Sequence, residues 1–150
     1  MYAIQMIALG KKLSNAYAAL CVPVCRKYGL NQTCFDVLMY CANNPEQNTA
    51  RDLCEVRGIK SGIASVAVEA LERAGLLENR PDPLDRRKHR LIPTGKAAAV
   101  IADGRAMQAY FTGTLRARIT DAEFAALRSL TEKIEANMAI LGKEGSENGI

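Results

Sequence analysis

The sequence has few of the residues on which most metal sites and active sites depend. It contains no tryptophan and only one histidine, His89. Its five cysteines include no CxxC pair, whereas a zinc site needs about four Cys, His or carboxylate ligands at suitable spacing. No glycine-rich phosphate loop is present either. These absences predict a protein without a metal, a cofactor or an enzymatic activity.

Long hydrophobic runs are also missing. No stretch approaches the roughly 18 apolar residues of a membrane helix, and Lys11 and Lys12 follow the first apolar stretch instead of preceding it as in a signal peptide. The 150 residues suffice for one domain with a sizeable core. We therefore expect a single cytoplasmic domain that contacts no membrane. Its net charge of +4 is compatible with an anionic partner.

Apolar residues recur at intervals of three and four over most of the chain, which predicts a mainly helical fold. The first helix is expected to kink or end at Pro23, because proline lacks the amide donor that a helix interior requires. Asn31, Thr49 and Thr94 are good N-caps for later helices. A capping box at residues 120–123 opens the last helix. Its apolar stripe consists of Leu127, Leu130, Ile134, Met138 and Leu141.

The middle of the chain has the pattern of a helix-turn-helix. A short helix is expected from Thr49 to about Val56, and Gly58 lies in the turn that follows. A second helix is expected from Ser61 to about Ala74. Its apolar positions are Ile63, Val66, Ala67, Ala70 and Leu71. In such a motif the second helix enters the DNA major groove, and the polar candidates for base contacts are Lys60, Ser61 and Ser65.

Most of the positive charge is concentrated in a predicted hairpin, with strands at residues 76–80 and 88–92. Between Arg80 and Arg90, four arginines and one lysine face two aspartates, which gives +3 of the chain's +4. Cations on such a turn can bind phosphates and enter a minor groove. The candidate DNA-binding residues of this hairpin are Arg80, Arg86, Arg87, Lys88 and Arg90.

These segments resemble the MarR family of transcriptional regulators. The resemblance runs from about Leu30 to Leu141 and is carried by residues 71–80, by residues 82–87 and by residues 119–137. It implies a mainly α winged helix-turn-helix with a small two- or three-stranded β-wing, flanked by N- and C-terminal dimerisation helices. The implied parts are dimerisation helices at residues 1–29 and 95–141, a DNA-binding module at residues 31–94 and a flexible tail at residues 142–150.

The resemblance implies a homodimeric repressor of a pseudo-palindromic operator in double-stranded DNA. It gives the wing roles to Asp85 and Arg87: the aspartate holds an arginine in place by a charge-assisted hydrogen bond, and a wing arginine, either Arg86 or Arg87, enters the minor groove. A small aromatic or phenolic effector would bind between the dimerisation helices and the DNA-binding module and release the protein from DNA. The cleft residues implied by position are Tyr17, Cys21, Phe35, Met39 and Tyr40.

Two alternatives remain open. The first alternative concerns the signal. Cys21 and Cys25 lie four residues apart beside Arg26 and Lys27, and nearby cations lower a thiol pKa. Oxidation of these thiols is therefore an alternative to the binding of a ligand. The other interpretation is that both cysteines are buried, inert thiols.

The second alternative concerns DNA specificity. The predicted recognition helix is poor in long polar side chains. Specificity would then rely on the wing and on DNA shape, or the module would act through protein–protein contacts with only non-specific DNA binding.

Overall fold

The computed structural model describes the backbone of residues 2–147 and the side chains of residues 2–141. Over that range the chain is mainly helical with one two-stranded antiparallel sheet, which confirms the predicted fold class. The elements are α1 (Tyr2–Tyr28), α2 (Gln32–Asn43), α3 (Ala50–Glu55), α4 (Ser61–Arg73), β1 (Leu77–Pro81), β2 (His89–Pro93), a 3-10 turn (Gly95–Ala97), α5 (Ala98–Arg116) and α6 (Asp121–Glu147). None of the described helices is long and apolar enough to cross a membrane. The chain divides near Phe111 into two compact units.

Local signals set the helix ends. The Asn31 side chain accepts a hydrogen bond from the Cys34 N–H over 2.8 Å and so begins α2. Thr49 and Asp52 form a reciprocal capping box at the start of α3. Gly29 follows α1 with a φ of 64°, a left-handed conformation that glycine adopts without steric penalty.

Of the two outcomes expected at Pro23, an end of the helix does not occur. The helix continues through Pro23 to Tyr28. A proline removes a single N–H from the helical ladder. Cys21 and Cys25, on either side of Pro23, are both buried against the core, and this packing keeps the helix in place across the missing hydrogen bond.

Two further boundaries differ from the prediction. Thr94 does precede the 3-10 turn, but its hydroxyl donates to the Gly75 carbonyl over 2.6 Å instead of capping the helix. The last helix continues to Glu147, so the backbone of residues 142–147 is helical where a tail was expected. The remainder of that predicted tail, residues 148–150, lies outside the described residues.

The core is built around α2, whose residues from Val37 to Cys41 are all buried. Gly104 lets α5 approach this helix closely. A Cβ built on Gly104 would lie 2.5 Å from the Met39 Sδ and 3.1 Å from a ring carbon of Phe35. The large side chains that are fully buried include Phe35, Leu38, Met39, Leu53, Leu71, Leu77 and Leu91.

The sheet forms a hairpin in which Leu77 lies opposite Pro93 and Pro81 lies opposite His89. The loop before α3 attaches to the outer side of β2. Its contacts include one isolated bridge between Thr49 and Arg90 and a hydrogen bond from the Leu91 N–H to the Asn48 carbonyl over 2.9 Å. The wing is therefore two-stranded with a short third contact.

Candidate nucleic-acid interface

The helix-turn-helix consists of α3, a turn at residues 56–60, and α4. Arg57 in the turn forms an ion pair with Asp36 of α2, with 3.3 Å between Nη2 and Oδ2. The Ile59 N–H donates to the Leu53 carbonyl over 3.2 Å. These contacts hold the turn, and α4 packs on the core through Ala64, Ala67, Val68 and Leu71.

The outer face of α4 carries the predicted polar candidates. Lys60 precedes the helix and is exposed, and Ser61 is its first residue. The Ser65 hydroxyl donates to the Ser61 carbonyl over 3.1 Å. Ile63 and Val66, which were predicted as apolar positions of this helix, are 50% and 66% exposed. The core side of α4 is formed by Ala64, Ala67, Val68 and Leu71, and Ile63 and Val66 lie outside that set on the exposed part of the helix.

The tip of the wing is organised by Asp82, a residue that sequence reasoning did not single out. Its Oδ1 accepts the N–H groups of Leu84 and Asp85 over 2.8 and 3.2 Å. Its Oδ2 accepts from the Arg90 Nε over 2.6 Å. The hydrogen bond from Arg90, followed by that from the Leu84 N–H, lowers the pKa of the Asp82 carboxyl. The sequence did contain a signal for this role of Asp82. An Asp in a turn often accepts a hydrogen bond from the backbone N–H two residues later, which forms an Asx turn, and here that N–H belongs to Leu84.

Asp85 has a different partner from the one predicted. Its Oδ1 accepts the backbone N–H of Arg87 over 3.0 Å, and its carbonyl accepts the Lys88 N–H over 2.9 Å. The expected carboxylate–guanidinium pair of the wing is therefore made by Asp82 and Arg90 instead. Asp85 fixes the backbone of the tip and not an arginine side chain.

The five predicted wing cations fall into two groups. Arg80 is paired with Glu78 on the same strand. Arg90 donates to Asp82 and, through Nη1, to the Pro45 carbonyl over 3.1 Å. The guanidinium of Arg90 thus holds the wing together, and its contact with DNA stays a prediction. The other three are exposed at the tip, and no described carboxylate pairs with them: Arg86, Arg87 and Lys88.

The residues predicted to line a ligand cleft are mostly core. Cys21, Phe35, Met39 and Tyr40 are buried, and Tyr17 is half-buried and accepts a hydrogen bond from Gln108 over 2.9 Å. All five belong to one apolar cluster or pack against it. Position along a helix predicted their inward direction correctly, but inward side chains here fill the interior instead of lining an open site.

An open cavity of about 530 Å³ lies elsewhere, between the end of α2, β2 and the first half of α5. Asn48 is 4% exposed at this cavity, and its Oδ1 has no hydrogen-bond partner among the described residues. Arg105 lines the cavity and donates to the carbonyl of Ala42 over 2.9 Å. The apolar lining includes Ile92, Pro93, Ala98, Ile101 and Ala102.

The two cysteines predicted as redox candidates lie in an environment that disfavours the thiolate. Burial, and then the charge of Asp36, raise the pKa of Cys21 to about 11 and also raise the pKa of Cys25. Lys27, expected to lower these pKa values, pairs with Asp103 over 2.7 Å instead. Of the two interpretations of these cysteines, the environment favours buried inert thiols, because a buried apolar site stabilises the neutral form.

A helix-turn-helix followed by a basic β-wing defines a class of DNA-binding proteins. A model of the MarR family matches residues 28–88, which run from the end of α1 to the wing tip. The match covers the helix-turn-helix and the wing, and the fold of the chain is similar to that of solved structures assigned to the MarR family of transcriptional regulators. Among curated proteins, none matches the sequence.

Several solved structures are similar over most of the chain. The transcriptional regulator PA3341 is 26% identical, with 87% of this chain and 98% of that chain covered and a TM-score of 0.72. CouR from Rhodococcus jostii, bound to p-coumaroyl-CoA, is 22% identical, with 89% and 90% covered and a TM-score of 0.74. A protein from Listeria monocytogenes assigned to the MarR family, complexed with 26mer DNA, is 20% identical, with 91% and 88% covered and a TM-score of 0.75.

Proposed function

We propose that the chain is a homodimeric, sequence-specific DNA-binding repressor of the cytoplasm, without enzymatic activity. The observation that carries the proposal is the wing tip, where Arg86, Arg87 and Lys88 are exposed on a backbone held by Asp82 and Asp85. Cations on a fixed turn bind phosphates and enter a minor groove without first being ordered. The DNA complex of the Listeria relative supports this function.

Dimerisation is supported by apolar side chains that remain exposed on the terminal helices. On α1 these include Ile4, Ile7 and Leu9, and α6 carries its own apolar stripe. Apolar surfaces of this extent are typical of contact with another chain. A two-fold dimer would present two copies of α4 about 34 Å apart, to successive major grooves of a pseudo-palindromic operator. The exposed stripe of α6 consists of Leu127, Leu130, Ile134, Met138 and Leu141.

Release from DNA is proposed to follow the binding of a small aromatic or phenolic acid in the cavity between α2, β2 and α5. The apolar lining of the cavity suits an aromatic ring. The Oδ1 of Asn48, which has no hydrogen-bond partner among the described residues, would accept a hydrogen bond from a hydroxyl group of the ligand. Arg105 would place a positive charge near the carboxylate of the ligand. Because the cavity contacts β2 of the wing, a ligand that prefers one position of the wing would shift the population away from the DNA-binding state.

DNA binding is tested by fluorescence anisotropy with the intergenic DNA beside the gene and with a scrambled duplex of the same composition. Tight binding to the first duplex and weak binding to the second, at two salt concentrations, supports a specific regulator. Equal and salt-sensitive binding to both duplexes would instead favour a module that acts through protein–protein contacts.

The effector proposal is tested by adding a panel of hydroxybenzoates to the preformed DNA complex. We expect at least one to release the DNA from the wild-type protein. Ala102→Leu, which fills the cavity, should keep DNA binding and prevent release, whereas Ala106→Leu on the same helix lies outside the cavity lining and should respond as the wild type does. Release that is unchanged in Ala102→Leu would exclude this cavity.

A further inference from the structure

The outer face of α4 is apolar at positions where base readout by hydrogen bonding needs long polar side chains. Val66 is 66% exposed and Ile63 is 50% exposed. Both lie in the first half of the helix, and the N-terminal part of a recognition helix is the part that contacts base edges. An exposed valine and an exposed isoleucine one turn apart thus stand on the surface that would face DNA.

Two of the neighbours of Val66 on that face are small. Gly62 lies four residues before it and Ala70 four residues after it, so both are its neighbours on the helix surface. A Cβ built on Gly62 would meet nothing within 4 Å. The single hydroxyl proton of Ser65 is donated to the Ser61 carbonyl within the helix. Val66 therefore projects beyond Gly62 and Ala70, and side chains that could donate hydrogen bonds to base edges are scarce around it.

A cation lies at the N-terminal end of this apolar patch, because Lys60 immediately precedes α4 and is exposed. The wing tip of the same module carries two further exposed cations, Arg86 and Arg87. Glu69 is exposed one turn beyond Ser65, and its charge disfavours close approach of phosphates to the second half of the helix. A polyanion is consequently favoured at the N-terminal half, where Ile63 and Val66 lie.

We propose that Val66 and Ile63 read thymine through its C5-methyl group in the major groove. Among the groups by which the major groove distinguishes the four bases, this methyl is the apolar one. Side chains three residues apart on a helix are separated by about 5–6 Å, and stacked bases by about 3.4 Å, so the two side chains can reach neighbouring base pairs. The inference rests on the proposed DNA-binding function and specifies the bases that face α4.

The test uses a duplex selected from a random DNA pool by the full-length protein, and the same duplex with deoxyuridine in place of every thymine. This replacement removes the methyl groups and leaves base pairing and the minor-groove edge unchanged. The wild-type protein should bind the uracil duplex about 3- to 10-fold more weakly. Val66→Ala should bind the thymine duplex more weakly and distinguish the two duplexes by less than about 2-fold.

Val22→Ala serves as the matched control, because Val22 is an exposed valine of α1; it should distinguish the duplexes as the wild type does. Equal binding of the wild type to both duplexes, with strong discrimination against a scrambled duplex, would overturn methyl readout and leave the proposed function intact. A full thymine preference in Val66→Ala would overturn the role of Val66. No discrimination against the scrambled duplex would overturn both proposals.

Discussion

The Nε of Arg90 donates to the Oδ2 of Asp82 over 2.6 Å, and this ion pair joins the two ends of the wing tip. Asp82 uses its other oxygen to hold the backbone of Leu84 and Asp85. One carboxylate therefore connects β2 to the turn that carries Arg86 and Arg87. The arrangement of the exposed cations therefore depends on Asp82, whose side chain is only 7% exposed, and on its half-buried partner Arg90.

Replacement of Asp82 by asparagine should weaken DNA binding and lower the urea midpoint of unfolding at neutral pH. The reason is that the hydrogen bonds accepted by the two carboxylate oxygens of Asp82 are charge-assisted, and an uncharged amide cannot replace both of them. The pKa of Asp82 is lowered in the folded protein, so its contribution to stability is complete above the unfolded pKa of about 3.9 and is lost as the pH falls through the lower folded value. The difference in the free energy of unfolding between the wild type and Asp82→Asn should therefore shrink in acid.

Glu78→Gln provides the control for that comparison. Glu78 also pairs with a wing arginine, Arg80, but both side chains are largely exposed, and solvent weakens such pairs. We expect little change in the urea midpoint or in DNA binding. A decrease in Glu78→Gln as large as that in Asp82→Asn would show that Asp82 has no special role in the wing.

Replacement of Gly104 by alanine should destabilise the protein. The new Cβ would lie 2.5 Å from the Met39 Sδ, and Met39 is buried and has little room to move. Overpacking of this kind lowers the free energy of unfolding by about 1–3 kcal/mol. Chemical denaturation measures the effect, and Gly62→Ala is the matched control because its Cβ meets nothing within 4 Å.

Gly62→Ala should leave stability unchanged or raise it by up to about 1 kcal/mol, since alanine favours a helix over glycine. If Gly104→Ala behaved in the same way, α5 would not approach α2 as closely as described. The two substitutions are chemically identical and both lie in helices of the same compact unit. The difference between them therefore isolates the contact with Met39.

Cys54 should be the first thiol to react with iodoacetamide near neutral pH. It is the one cysteine of the five that is not buried. The pKa of Cys21 is raised to about 11, which leaves on the order of one molecule in ten thousand as thiolate at pH 7. Intact mass should show a single fast adduct, absent in Cys54→Ser. Fast modification of Cys21 in the native protein would contradict its burial. It would also favour the alternative in which oxidation of Cys21 and Cys25 is the signal that the protein senses.

Much of the fold could be predicted from the sequence because its signals are local. Asn31 caps α2 by accepting from an N–H three residues away, and Thr49 does the same for α3. Gly29 ends α1 through its own backbone conformation. The wing strands and their basic tip were likewise predicted to within about one residue, which is the usual uncertainty of such boundaries.

The candidate site was less predictable because it depends on contacts between distant residues. Asp82 and Asp85 are equally plausible partners for a wing arginine until the hairpin register brings Arg90 to Asp82. The outward direction of Val66 follows from how α4 rests on the core. The cavity at Asn48 is assembled from α2, β2 and α5, and no pattern within one of these elements indicates it.

The most direct test of the central claim measures how DNA binding by the full-length protein depends on salt. Arg86→Ala/Arg87→Ala is compared with Lys11→Ala/Lys12→Ala, which removes the same charge from α1. We predict that the wing variant binds the selected duplex much more weakly. The negative slope of log K against log salt should become less steep by about 1 for each phosphate that the protein no longer neutralises. This amounts to about 4 for two arginines in each of two protomers. The control should keep the wild-type slope. An equal decrease in both variants would contradict a DNA interface centred on the wing.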